Sequence, residues 1–246
     1  MKRLHDEKRL GFALVWIGIY VMGSGLADGL SEWLGQAKSA TFLFHAGLSI
    51  FALVWLRRNG LMREYGLRRS SVPAARFGYY IPLAILTSCN LWYGWEMNFP
   101  PLETSLYIGS MIGVGFLEEL IFRGFLFRAL ERDGVRTAIA VSSITFGLGH
   151  IVNLFNGSGA GIVSNLCQIG SAVAFGFLFV ILFHRGQSLL PCIAAHSAIN
   201  ALSAFGNEAA MTGWTEVLTS LALCVGAAGY ALVLSRTLPS PDDGAE

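Results

Sequence analysis

The chain has 246 residues, 54% of them hydrophobic and only 13% charged, with a mean hydropathy of +0.56 and a formal net charge of +1. Soluble domains carry about 25% charged residues, so half that density requires a non-aqueous solvent for most of the surface. The near-neutral balance argues against nucleic acid or another polyanion as a partner.

A membrane-spanning helix needs about 20 mostly apolar residues. In chain order the apolar runs fall at 10–27, 40–56, 77–95, 105–128, 137–155, 161–183, 188–206 and 215–235. They predict an all-α, polytopic membrane protein of about eight transmembrane helices in a single integral-membrane domain, 1–246, with no internal repeat. Met1-Lys2-Arg3 before the first run imitates a signal peptide. The run is long, however, and no small-x-small cleavage site closes it, so a retained first helix is expected. Cys89, Cys167, Cys192 and Cys224 lie in apolar runs without metal-ligand spacing and read as small buried hydrophobes.

Lysine and arginine accumulate on the cytoplasmic side of membrane proteins. Threading the helices from a cytoplasmic N-terminus puts every basic residue inside except Lys38 and Arg123, and the outer loops carry Asp28, Glu32, Glu96, Glu103, Glu208 and Glu216 instead. Both termini are therefore expected in the cytoplasm. The longest inside connection, 57–76, is rich in arginine and reads as an ordinary positive-inside loop or an anionic-lipid contact.

Ionisable groups at membrane depth cost at least ~2.5–3.5 kcal/mol each, so they are rare and usually functional. The fourth run holds three of them in Phe116-Leu-Glu-Glu-Leu-Ile-Phe-Arg-Gly124. Glu119 and Arg123, four apart, share a helix face and suit an ion pair. Glu118 lies about 100° round the helix with no partner at i±3 or i±4, the setting for a carboxylate that transfers protons. The fifth run carries His150 in Phe146-Gly-Leu-Gly-His150, and the seventh carries His196 and Asn200, four apart and on one face. At 1.5 Å per residue from the inside ends, Glu118 lies roughly 15 Å deep, His150 about 20 Å and His196 about 12 Å. These groups are therefore expected to share one pocket. His45, His5 and His184 are isolated and read as structural, while Pro82 and Asn90 mark a bend or a polar face in the third run.

The three strings resemble the motifs of the CPBP intramembrane proteases (the Abi family), which include the type II CAAX prenyl endopeptidases. That family shows E-E-x-x-x-R, F-x-x-x-H and H-x-x-x-N on separate membrane helices. The resemblance spans about 105–205, and every motif position is filled here. It implies that Glu118 and His150 activate a water for attack on a peptide carbonyl presented from the cytoplasmic side. It implies further that His196 and Asn200 donate to the oxyanion and that Glu119 and Arg123 hold the geometry. Two histidines and a glutamate could also form an open zinc site, but no H-E-x-x-H string is present, and asparagine is a poor zinc ligand. No obligatory cofactor is expected. The expected partners are a peptide or protein substrate, either a CAAX-like tail or a peptide precursor, and the bilayer itself, the inner membrane if the chain is bacterial.

Other readings fit less well. A rhomboid-type site needs G-x-S-G, and the nearest string is Phe155-Asn-Gly-Ser158-Gly159. Presenilin-type sites need two intramembrane aspartates, and no aspartate falls in a run. A proton-coupled carrier would use Glu118, His150 and His196 as a relay, and a non-enzymatic bacteriocin-immunity or scaffold protein would keep the fold without turnover.

Overall fold

The computed structural model describes residues 1–72, 80–154 and 161–238. The chain is built from helices: α1 (Lys2–Glu7), α2 (Arg9–Trp33), α3 (Ser39–Arg58), α4 (Ile81–Thr87), α5 (Pro101–Asp133), α6 (Val135–Leu154), α7 (Ile162–Gly186), α8 (Leu190–Phe205) and α9 (Trp214–Thr237). Among the described residues, the only extended pairing is an isolated bridge between Trp95 and Gly206. Prolines stand in the first turns of α4, α5 and α8, where a missing N–H costs nothing. Gly134, at φ 145°, makes the turn from α5 to α6.

Six helices (α2, α3, α5, α6, α7 and α9) are long and apolar enough to cross a membrane, and α8 is a shorter apolar helix. Large aliphatic side chains such as Met22, Leu26, Leu43, Leu166 and Val225 lie on the outside. Such a surface suits lipid, and helices satisfy their own backbone groups there. The chain is thus an all-helical, multi-pass membrane protein.

The third expected span is not a continuous helix over its described part. After Thr87 the chain passes through a 3₁₀ turn, Cys89–Leu91, and its polar groups turn to the far end of α8. Asn90 Nδ2 donates to the Ile199 carbonyl, and the backbone N–H groups of Glu96 and Asn98 donate to the carbonyls of Phe205 and Ala204. These tertiary hydrogen bonds replace the helical ladder. Pro82 stands in the first turn of α4. Residues 77–79 of that run, Arg76, and the Phe155–Gly159 string lie outside the described residues.

Helix α5 is the centre of the bundle. Its first half, Pro101–Glu118, packs between α3 and α8. Its second half, Glu119–Phe127, opens into π-helical turns whose residues are all buried against α2, α6, α7 and α8. Wider turns leave carbonyls free for other partners, and Ser142 Oγ on α6 donates to the Phe122 carbonyl. Helix α7 packs against both α6 and α9.

The helix ends sort by charge. Arg9 on α2 pairs with Glu64, Arg68 Nε donates to the Gln187 carbonyl after α7, and Arg128 on α5 donates to Gln187 Oε1. Arg185 reaches the carbonyls of Ser235 and Leu238 at the end of α9. At the other ends, Lys38 pairs with Asp28, Gln36 with Glu103 and Ser164 with Glu216. These partners tie neighbouring helix ends together.

Gly115 sets the approach of α5 to α8. A Cβ there would stand 2.6 Å from the Ser197 backbone nitrogen and 2.7 Å from its Cα, and only backbone movement could relieve that. Around Gly25 on α2 nothing lies within 4 Å. Gly115→Ala is therefore expected to destabilise the purified protein by about 1–3 kcal/mol. Gly25→Ala should leave the melting temperature in detergent unchanged or slightly raised. Equal melting curves for the two variants would contradict this packing.

Candidate active site

The acidic string stands where α5 passes from α-helical to π-helical turns, so Glu118 closes one geometry and Glu119 opens the next. Glu119 and Arg123 form the expected ion pair, with Arg123 NH1 3.1 Å from Glu119 Oε1 and both side chains 0% exposed. The guanidinium rests on aromatic faces, 3.9 Å from the Phe146 ring centroid and 5.6 Å from that of Phe179. Contacts of this kind gain strength when desolvated.

His196, nearly two turns into α8, reaches both glutamates. Its Nδ1 lies 2.8 Å from Glu119 Oε1, and its Nε2 lies 3.6 Å from Glu118 Oε2. As the anion of its ion pair with Arg123, Glu119 only accepts, so in that pair Nδ1 carries the hydrogen of the shorter contact. The longer contact exceeds direct hydrogen-bond range. The rings of Phe146 and Phe179, with centroids 5.7 and 5.9 Å from that of His196, hold the imidazole between them.

Glu118 has a partner that helix spacing could not show. Tyr20, from α2, donates its hydroxyl to Glu118 Oε1 at 2.7 Å. This corrects the expectation of an unpaired carboxylate, which considered only α5. Glu118 Oε2 is buried and makes no hydrogen bond to the described residues. With its side chain 13% exposed where Glu119 has 0%, Glu118 is the more accessible of the two acids. Behind Tyr20, His45 stacks on the phenol ring at 5.8 Å and hydrogen-bonds Ser24 and Ser110.

His150 lies where α6 tightens into a 3₁₀ turn, with Nδ1 3.1 Å from its own Phe146 carbonyl. A carbonyl only accepts, so Nδ1 carries a hydrogen and Nε2 keeps its lone pair. Asn165 on α7 donates to the His150 carbonyl and holds that turn. His150 shares Phe146 with His196, one ring against each side, but no hydrogen bond or ion pair joins it to Glu118. Asn200 follows one turn after His196 on α8, partly buried, and its amide makes no hydrogen bond to the described residues. Its carbonyl accepts from Ser203 Oγ.

Sequence spacing thus identifies the charged members but misses Tyr20 and the central place of Phe146. The phenylalanine of the F-x-x-x-H string touches Arg123, His150 and His196 together and anchors His150 through its carbonyl. No signal marks Tyr20, which is one aromatic residue in an apolar run. Among the described residues, no group of three His, Cys, Asp or Glu side chains is arranged to hold a metal ion.

Residues 100–202 match the family model described as Type II CAAX prenyl endopeptidase Rce1-like. No curated protein and no solved structure matches the chain. The matched segment contains Glu118, Glu119, Arg123, His150, His196 and Asn200, so the motifs and the family model point to one assignment. Over this segment, which is less than half of the chain, the sequence is similar to the Rce1-like family of type II CAAX prenyl endopeptidases, a family of membrane proteases.

Proposed function

We propose that the chain is an intramembrane endopeptidase that hydrolyses a peptide bond near the cytoplasmic side of the membrane, with Glu118 as the base that activates water. The observation that carries this reading is the asymmetry of Glu118. Tyr20 fixes Oε1, while Oε2 is left without a hydrogen-bond partner among the described residues, beside His196.

In this reaction the water oxygen attacks the carbonyl carbon while Glu118 Oε2 takes one of its protons. His150 Nε2, with its lone pair free, accepts the second hydrogen of the water and fixes its direction of attack. The carbonyl oxygen becomes an oxyanion. His196 donates to it through Nε2–H in the imidazolium form, whose positive charge together with Arg123 balances the two carboxylates. The Asn200 amide supplies a second donor, and such donors contribute several kcal/mol when they are already in place. As the C–N bond breaks, the departing amine takes the proton from Glu118. Glu119 and Arg123 are positioning residues that act through His196 Nδ1. The chemistry is complete with these side chains and needs no obligatory metal. The substrate is a CAAX-like tail or a peptide precursor presented to the membrane.

Incubating the detergent-purified protein with a peptide library tests the reading. Glu118→Gln and His150→Ala are each expected to lower turnover by about 10²–10⁴-fold without unfolding the protein. Turnover that survives both substitutions would overturn the mechanism. A chelator is expected to leave wild-type turnover intact, and its abolition, with recovery on adding zinc, would replace the glutamate mechanism by a metal one.

Tyr20→Phe removes one hydrogen bond to a charged group, a change of about 1.5–3 kcal/mol. It is expected to lower kcat by about tenfold or more with KM unchanged. A rise in KM with kcat unchanged would place Tyr20 in substrate binding instead. Arg123→Ala strands the buried Glu119 charge and is expected to destabilise the protein by about 3–5 kcal/mol, read as a drop in melting temperature.

A further inference from the structure

A cavity of about 490 Å³ opens at the basic end of the bundle, where the start of α2, the segment after α3 and the ends of α5 and α7 meet. Five arginines line it (Arg9, Arg63, Arg68, Arg128 and Arg132) against two glutamates, Glu64 and Glu131. Both glutamates are already neutralised. Glu64 pairs with Arg9, and Glu131 pairs with Arg128 at 2.6 Å while also accepting from His184 at 3.0 Å. Arg63, Arg68 and Arg132 have no carboxylate partner among the described residues. Three positive charges therefore converge on one cavity without an acid to answer them.

The arrangement is also built rather than a loose fringe of charge. Arg68 is pinned through Nε to the Gln187 carbonyl, and Arg128 through NH2 to Gln187 Oε1. Gln187 itself adopts a left-handed backbone conformation (φ 50°) that non-glycine residues rarely occupy. Its side-chain amide donates to the His184 carbonyl, and Arg128 lies over the Phe183 ring at 4.7 Å. Burial, together with the neighbouring charges of Arg63 and Arg128, lowers the pKa of Arg68, as expected where guanidinium groups are crowded.

We propose that this cavity binds a phosphate group, either the headgroup of an anionic phospholipid or a free phosphate ion. The lining cations are all arginines, whose planar forks match phosphate oxygens two at a time, and no lysine contributes. The cavity sits at the charged ends of apolar helices, the depth at which lipid phosphates lie. Basic pockets between helix ends are a recurring site for anionic headgroups. Leu10 and Leu14, which follow Arg9 on α2, have exposed apolar side chains of the kind that acyl chains cover. The inference does not depend on peptide hydrolysis, because binding is read without substrate.

Melting temperatures of the full chain in a neutral detergent provide the test, with added phosphatidylglycerol, phosphatidylcholine or inorganic phosphate. The test variant is Arg63→Gln with Arg132→Gln, which breaks no ion pair. The control is Arg57→Gln with Arg58→Gln, which removes the same charge outside the cavity. Phosphatidylglycerol is expected to stabilise the wild type and the control more than phosphatidylcholine does. The test variant should require at least tenfold more phosphatidylglycerol for the same shift. Stabilisation by inorganic phosphate alone, lost in the test variant, would identify free phosphate as the ligand. Equal responses of the test and control variants, or no response of the wild type to either phosphate source, would overturn the proposal.

Discussion

A guanidinium sealed away from solvent on the central helix dictates most of the chemistry around it. Arg123 cannot shed its proton, so it needs an anion, and Glu119 on the preceding turn supplies one. An anionic Glu119 in turn requires a hydrogen on His196 Nδ1, which fixes the ring's orientation. The other ring nitrogen then faces Glu118. The two adjacent glutamates carry different assignments because only one of them neighbours the arginine four residues on. One is enclosed by the arginine and His196, and the other is held by Tyr20 through a single oxygen.

That charge system is held by packing rather than by a dense hydrogen-bond network. The Arg123 guanidinium lies mainly on aromatic faces, and Phe146 holds it from one side while positioning both histidines. Glycines decide how close the helices come. Gly115 lets α5 meet α8 at the turn just before the glutamates, and Gly147 lets α6 meet α7 one residue after Phe146. An added methyl group at Gly147 would stand 2.9 Å from the Val173 backbone nitrogen. Small residues let α5 meet α8 and α6 meet α7 around the polar site.

Much of this was legible in the sequence, and the rest was hidden for identifiable reasons. Composition gives the membrane, and four-residue spacing gives the Glu119–Arg123 pair, because both are properties of one segment. Tyr20 was not legible, since its partner is 98 residues away and a tyrosine in an apolar run carries no periodic signal. The run at 77–95 misled because hydropathy counts apolar residues and cannot tell that Asn90 and the backbone of Glu96 and Asn98 find partners on α8. The π-helical turns of Glu119–Phe127 were invisible for a similar reason. They are stabilised by what surrounds α5, including the Ser142 hydroxyl, and not by any local preference of the residues themselves.

Those wide turns also work as an angular spacer. Glu118 precedes them, and Arg128 and Glu131, which line the arginine cavity, follow them. The number of residues between therefore sets how the two regions are rotated about the helix axis. Each residue of an α-helix turns the chain by about 100°. A π-helical turn holds more residues than an α-helical one, so over Glu119–Phe127 the chain rotates less than an α-helix of the same length would. The length of the segment, beyond its composition, links the orientation of the acidic motif to that of the basic cavity.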